Sequence, residues 1–398
     1  MRTVLRSNGL AALLAAFALS ACSNATPSMV APSGRAPAPA PVHMHPAEGA
    51  NALPGEGANA LPGATLPCVF NPAQGQANCT VAINTNIPPA SNPTEPASLI
   101  PGLHPSDLIG AYALPSQNRG QLVAIVDAYD DPTAEYDLGV YRTAFGIKAC
   151  TTSNGCFRKV NERGGKPYPS ANTEWSDEIA LDLDMVSAAC PNCTILLVEA
   201  NSASIDDLGT SVDEAVALGA RVISNSYYAF EWQQEASEDA HYRHNGTAIT
   251  VSSGDAAETF YPAASPYVTA VGGTSLKGST GAWAESAWSY AGGGCTQYEP
   301  RPSYQSGVVK CSKRSSVDVA AIADPQTGVA TFATSAGGWI VAGGTSVGAP
   351  LVASAYALSG NLQGPAYSYQ HRGAFADVLP AGYDFRTGIG TPNGVAGL

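Results

Sequence analysis

Two rhythms of apolar and polar residues run through this chain from about Leu99 onward. One is the short, nearly unbroken apolar run closed by polar or acidic residues: QLVAIVDAYDD (121–131), CTILLVEA (193–200), RVISNSY (221–227) and AITVSSGD (248–255). Runs of this length read as buried strands. The other rhythm is helical. In EIALDLDMVSAAC (178–190), Ile179, Leu183 and Val186 fall on one stripe. IDDLGTSVDEAVALGA (205–220) predicts a helix ending near Gly219, and SVGAPLVASAYALSG (346–360) a helix closing at Gly360. Apolar strands alternating with helices imply an α/β domain with a mostly parallel sheet covered on both faces. Sites in such sheets gather at the strand ends. The pattern places this domain at residues 99–398.

Upstream of Leu99 the texture differs. Arg2 and Arg6 precede GLAALLAAFALSAC (9–22), a charged start followed by an apolar run too short to span a bilayer. It reads as an export signal over residues 1–21. The run ends in Leu19-Ser20-Ala21-Cys22, similar to the bacterial lipobox, in which Cys22 is lipidated and becomes the mature N-terminus. Ordinary secretion with cleavage elsewhere is the alternative. Residues 22–98 read as a Pro/Ala/Gly-rich tether with one small disulfide loop. Its octapeptide EGANALPG occurs in tandem at 48–55 and 56–63. Such a segment buries too little apolar surface to order itself. His43 and His45 inside it read as solvated residues.

Composition narrows the class. Of 398 residues, 45% are hydrophobic and 13% charged, which suffices for a large core. The net charge of −13 argues against a nucleic-acid partner, which demands a basic face. It fits a protein outside the cytoplasm, meeting a membrane only through a lipid at Cys22. Nine cysteines leave eight once Cys22 is set aside. These fall into local pairs, Cys68/Cys79, Cys150/Cys156, Cys190/Cys193 and Cys295/Cys311, as expected of disulfides in an exported chain. No thioredoxin-like pattern surrounds CPNC (190–193), and no histidine sits at zinc-ligand spacing from the cysteines.

The candidate chemistry starts from VAGGTSVGAP (341–350), a strand running into a glycine turn that lifts Ser346 onto the first turn of a helix. A serine there suits nucleophilic attack but needs a base. VAIVDAYDD, with Asp127, resembles the aspartate strand of subtilisins, which also require a histidine at a glycine-flanked helix start. None of the six histidines is followed by glycine; His241 and His244 are the remaining candidates for a histidine base. DEIALDLD offers another answer. Glu178 and Asp182 are spaced to stack on one helix face. Two such carboxyls share a proton and split their titrations. Glu178 can then take the serine proton while Asp182 holds and orients it, leaving Asp177 and Asp184 as the solvent-facing acids. In VSSGDAA, Asp255 follows Gly254. A carboxylic acid kept protonated there can donate to a developing oxyanion, which sets a low working pH.

DEIALD, SSGD, YPAASPYVTAVGGT and GGTSVGAP, in this order, together resemble the sedolisins, the serine-carboxyl peptidases of subtilisin-like fold, from about Leu103 to the C-terminus. The resemblance implies a mostly parallel, seven-stranded sheet between helices. It implies an endopeptidase that acts in acid on protein or peptide substrates through an acyl-enzyme on Ser346. Glu178 is then the general base, Asp182 its orienting partner, Asp255 the oxyanion acid, and Asp127 an extension of the Glu178 network. It also implies Ca2+ near the C-terminus, bound by Asp377, Asp384 and the carbonyls of Val378, Pro380 and Gly382, although the loop here is short. The long folded prosegment of the family is expected to be missing between Cys22 and Leu99. Two alternatives follow: a catalytically silent surface module on the same scaffold, and a histidine-dependent subtilisin-like protease.

Overall fold

The structure is a computed structural model that describes residues 61–68, 71, 73–116, 120–279, 281–379 and 382–398. The expected export signal, Cys22 and Pro380 lie outside these residues. No described helix is long and apolar enough to cross a membrane.

Leu122–Ala128 is an interior strand of an eight-stranded sheet. It runs parallel to Thr194–Ala200 on one side, with Asp127 opposite Glu199, and to Val222–Asn225 on the other. Phe157–Asn161 closes the first side, while Ala248–Ser252, Thr269–Ser279 and Val319–Ile322 extend the second. Only Ala282–Ala287 returns antiparallel, paired with the end of Thr269–Ser279. The other strands are mutually parallel, as the sedolisin resemblance implies. Every residue from Val123 to Ala128 is buried. Side chains alternate faces along a strand, so both faces of the sheet are covered.

Helix Thr173–Ala189 starts where the Asn172 side chain accepts from the backbone N–H groups of Glu174 and Trp175, at 2.9 and 3.0 Å. These are two of the donors a helix N-terminus leaves free. The helix packs on the central sheet, on helices Ala134–Ala144 and Thr345–Ser359, and on strand Val329–Ala333. It is consequently buried all round from Trp175 to Ala189. This corrects the expectation for Asp177 and Asp184, which do not face solvent. Asp184 accepts from the Phe332 N–H at 3.0 Å, and Asp177 accepts from the Ser335 hydroxyl. The covering hairpin supplies both donors, so an acidic stripe that reads as solvated is capped by tertiary contacts.

The tether expected to reach residue 98 stops short of it. Ala82–Asn84 pairs antiparallel with Gly338–Gly343 on one edge and with Ala64–Thr65 on the other. Asn78–Cys79 pairs antiparallel with Tyr227–Tyr228, and Ala90 bridges to Trp339. Residues from Leu61 onward therefore belong to the body of the domain. The four local cysteine pairs are disulfides: Cys68–Cys79, Cys150–Cys156, Cys190–Cys193 and Cys295–Cys311.

Candidate active site

Ser346 sits on the first turn of helix Thr345–Ser359, directly after strand Gly338–Gly343. The turn between them is Gly344, whose φ of 93° only glycine adopts easily. A Cβ at Gly344 would also come within 1.8 Å of the Thr80 carbonyl oxygen. The glycine thus lets chain 79–81 pass directly over the nucleophile's turn. Ser346 is wholly buried, and its hydroxyl lies against the Thr80 hydroxyl, which in turn donates to Ser252 at 3.1 Å.

Beneath it three carboxyls share one solvent-free space. Asp127 comes from the end of the central strand; Glu178 and Asp182 come from successive turns of helix Thr173–Ala189, and all three are fully buried. Glu178 Oε2 accepts from the Thr80 and Val81 N–H groups at 2.7 and 2.6 Å. Asp182 Oδ1 accepts from the Ser226 hydroxyl at 2.8 Å. Glu178 Oε1, Asp182 Oδ2 and both oxygens of Asp127 have no donor. Buried ionised carboxyls without donors are costly, which favours their protonated forms. Burial raises Asp127 to about 8. It raises Glu178 well above the usual range, aided by the charge of Asp127 and opposed by the neighbouring Ser346 hydroxyl and the two backbone donors. Asp182 is raised by burial, then by Asp127 and Glu178, against the Ser226 hydrogen bond. The cluster titrates as a unit and retains protons well above the pH at which isolated carboxyls lose them.

On the far side of Ser346, Asp255 follows the end of strand Ala248–Ser252. Its Oδ1 accepts from the N–H and hydroxyl of Thr345, at 2.9 and 2.8 Å, which fixes it beside the nucleophile. Its Oδ2 is buried with no donor. Burial pushes Asp255 up to about 7, against the two Thr345 hydrogen bonds. Below that pH Oδ2 carries a proton and is itself a donor.

The structure thus brings together a hydroxyl, a carboxyl cluster and a second buried acid. The subtilase family model matches residues 164–372, just over half of the chain, a span that includes Glu178, Asp182, Asp255 and Ser346. The chain belongs to the subtilase family. Within that family its relatives are sedolisins, as the motifs imply. It is 28% identical to kumamolisin of Bacillus sp. (strain MN-32) over 292 residues, covering 63% of this chain and 50% of kumamolisin. It is 26% identical to xanthomonalisin of Xanthomonas sp. (strain T-22) over 342 residues, covering 69% of this chain and 40% of that protein. The chain therefore matches half or less of the length of these curated relatives. The solved structure of Pseudomonas sedolisin, a serine-carboxyl proteinase complexed with two molecules of pseudo-iodotyrostatin, superposes with a TM-score of 0.64 at 23% identity. That match covers 74% of this chain and 96% of sedolisin. A lanthipeptide protease superposes at 0.50 with 18% identity, over 73% of this chain and 91% of that one. These structural likenesses speak for the fold.

The two histidines that sequence offered as bases are engaged elsewhere in this subtilase. His241 and His244 both turn to Asp213, at 2.7 and 2.9 Å. Of the residues expected to hold calcium, Asp377 and Asp384 each accept hydrogen bonds from their own turns. Asp384 Oδ1 accepts from the N–H groups of Arg386 and Thr387, at 2.8 and 3.0 Å, and Oδ2 from the Thr387 hydroxyl. Asp377 accepts from the Leu379 N–H. Val378 and Gly382 flank Pro380, which lies outside the described residues. Asp384 is thus taken up by its own turn, whereas Asp377 Oδ2 carries no protein hydrogen bond among the described residues; an ion wants six to eight oxygens, and no step below involves one.

Sequence reasoning missed Thr80, Val81 and Ser226. VAIN (81–84) is a short apolar run just after Cys79 and was the available signal for the first two. Nothing local marked Ser226.

Proposed function

We propose that this protein is an exported serine-carboxyl endopeptidase that hydrolyses peptide bonds in acid. The observation that carries the reading is the buried Asp127–Glu178–Asp182 cluster, in which Glu178 neighbours the Ser346 hydroxyl and which has no cationic partner among the described residues. Ser346 Oγ attacks the substrate carbonyl as Glu178 takes its proton. Asp182 and Asp127 hold the shared proton that sets the charge on Glu178. Protonated Asp255 donates to the oxyanion, where its fixed position on Thr345 lets it act without reorganising. Glu178 then returns the proton to the leaving amine, and water releases the acyl group from Ser346. Asp255 must stay protonated, which keeps the reaction below about pH 7.

Export, with a lipid at Cys22, belongs to the same proposal. It is supported by the signal-like N-terminus and by four disulfides, which persist in oxidising compartments. Substrates are unfolded proteins or peptides. The test is hydrolysis of denatured casein between about pH 3 and pH 7. Wild-type protein is expected to cleave, and Ser346→Ala and Glu178→Gln to be inactive. Cleavage that survives either change refutes the reading. A folded chain inactive across the whole range supports a silent module instead.

A further inference from the structure

We propose that Asp206, Glu238 and His241 form a binding site for a divalent transition-metal ion of the Zn2+ type, which ties helix Ile205–Ala217 to the 3₁₀ helix Glu235–Tyr242. The site stands apart from the catalytic carboxyls and does not depend on the peptidase reading. The two helices pack on each other. On the first, Asp206, Gly209 and Asp213 are spaced by three and four residues and share one face. On the second, Glu238 and His241 are three residues apart, a spacing that stacks two side chains directly in a 3₁₀ helix. One carboxylate oxygen of Asp206, one of Glu238 and one ring nitrogen of His241 all lie within 4.8 Å of one another.

The imidazole is held ready to ligate. A Cβ on Gly209 would come within 2.6 Å of His241 Cγ and Cδ2, so the glycine is what lets the ring seat against the first helix. His241 Nδ1 lies 2.7 Å from Asp213 Oδ2. A carboxylate only accepts, so the ring proton sits on Nδ1, and neutral imidazole keeps its lone pair on Nε2. A carboxylate behind a histidine fixes tautomer and ring orientation in metal sites and makes the ligating nitrogen more basic. Asp213 is itself steadied by His244 Nε2 at 2.9 Å. His241 Nε2 lies 3.9 Å from Glu238 Oε2, and neither atom has a hydrogen bond among the described residues. No lysine or arginine pairs with Asp206, Asp213 or Glu238 among the described residues; Asp213 and Glu238 have only imidazole as a basic neighbour. Three carboxylates so placed favour a cation between them.

The donor set selects the class of ion. One imidazole nitrogen with two carboxylate oxygens suits Zn2+, which binds such atoms at about 2.0–2.2 Å and takes water in a fourth position. Ca2+ and Mg2+ seek oxygen and gain nothing from the imidazole. Donors around a tetrahedral ion of that size lie about 3.3 Å apart. The 3.9 Å between Nε2 and Oε2 is therefore closed by a small rotation of the Glu238 side chain. An ion gripped from both helices binds the folded chain alone and stabilises it by mass action.

The experiment takes full-length Ser346→Ala protein, stripped with a chelator, at about pH 7.5, where imidazole is neutral. ZnCl2 is titrated by calorimetry, and melting temperature is followed with ZnCl2, CaCl2 or MgCl2. One Zn2+ per chain is expected at this site, with a rise of a few degrees in melting temperature that CaCl2 and MgCl2 do not reproduce. His241→Ala is expected to abolish the binding. Asp206→Asn and Glu238→Gln keep side-chain shape, and each is expected to weaken binding about tenfold or more while circular dichroism shows the fold unchanged. His43→Ala/His45→Ala removes a rival histidine pair near the N-terminus and is expected to leave the site intact. Binding that disappears with this pair and survives Asp206→Asn and Glu238→Gln overturns the proposal. Absence of Zn2+ binding overturns it too, and makes the ring an imidazolium paired with its carboxylates. An equal melting shift with CaCl2 means simple screening of acidic groups and likewise overturns it.

Discussion

Ser226 donates its hydroxyl to Asp182 Oδ1 at 2.8 Å, while Asp182 Oδ2 has no donor at all. Ser226→Ala leaves both oxygens of a buried carboxyl unsatisfied, a loss of about 1–3 kcal/mol in stability. That hydrogen bond also lowers Asp182, so its removal raises Asp182 further. The cluster then gains its last proton at higher pH, and the acidic limb of the kcat/KM profile moves upward. Ser226→Thr keeps the hydroxyl and is expected to restore the profile. A uniform fall in kcat/KM without movement of the acidic limb refutes the positioning role.

Asp255 governs the opposite limb. It donates only when protonated, and its folded value is about 7, raised by burial. Activity is therefore expected to fall as pH rises through about 7. Asp255→Ala removes one oxyanion donor, an effect on the order of 100- to 1,000-fold in kcat. Asp255→Asn presents an amide N–H at every pH, so its residual activity is expected to persist above pH 7. The check is kcat against pH for the three proteins. An Asp255→Asn profile with the wild-type alkaline limb assigns that limb to another group.

Gly344 is held at φ 93°, and a Cβ there meets backbone at 1.8 Å. Gly344→Ala is strained in conformation and displaces the Thr80 carbonyl. A destabilisation of roughly 1–3 kcal/mol is expected. Denaturant unfolding of the Ser346→Ala background measures it without interference from proteolysis. No change in midpoint means that the turn relaxes and that the segment over Ser346 is not fixed by it.

Much of this architecture was legible in local pattern. The apolar runs at 122–128 and 194–200 are central strands because their residues are buried on both faces, and continuous apolarity is the sign of that burial. Glu178 and Asp182 were legible as a pair because helical spacing alone sets them on successive turns. The burial of Asp184 was not, because the Phe332 N–H and the Arg142 charge that make it tolerable come from other parts of the chain. Thr80 and Val81 were hidden for a related reason. They lie between two strands only two and three residues long, which owe their existence to partners at 227–228 and 342–343. Pairings so short and so distant leave no periodicity to read.

Stability should also follow the buried acids. Glu235 accepts from the Trp232 N–H at 2.9 Å, yet burial, followed by the charge of Glu231, raises it to about 9. Burial likewise raises Glu299 to about 7. With Asp127 at about 8, the fold favours the protonated form of each. In the unfolded chain such groups ionise near pH 4. Their contribution is complete below that value and is lost as pH rises through the folded values, because the folded state binds more protons over this interval. The melting temperature of Ser346→Ala protein is therefore expected to fall between about pH 4 and pH 8. Glu235→Gln keeps an acceptor for Trp232 and cannot ionise, so its decline is expected to be shallower. Calorimetry at several pH values decides it: a melting temperature that rises over the interval means that other groups, with lowered values, dominate the linkage.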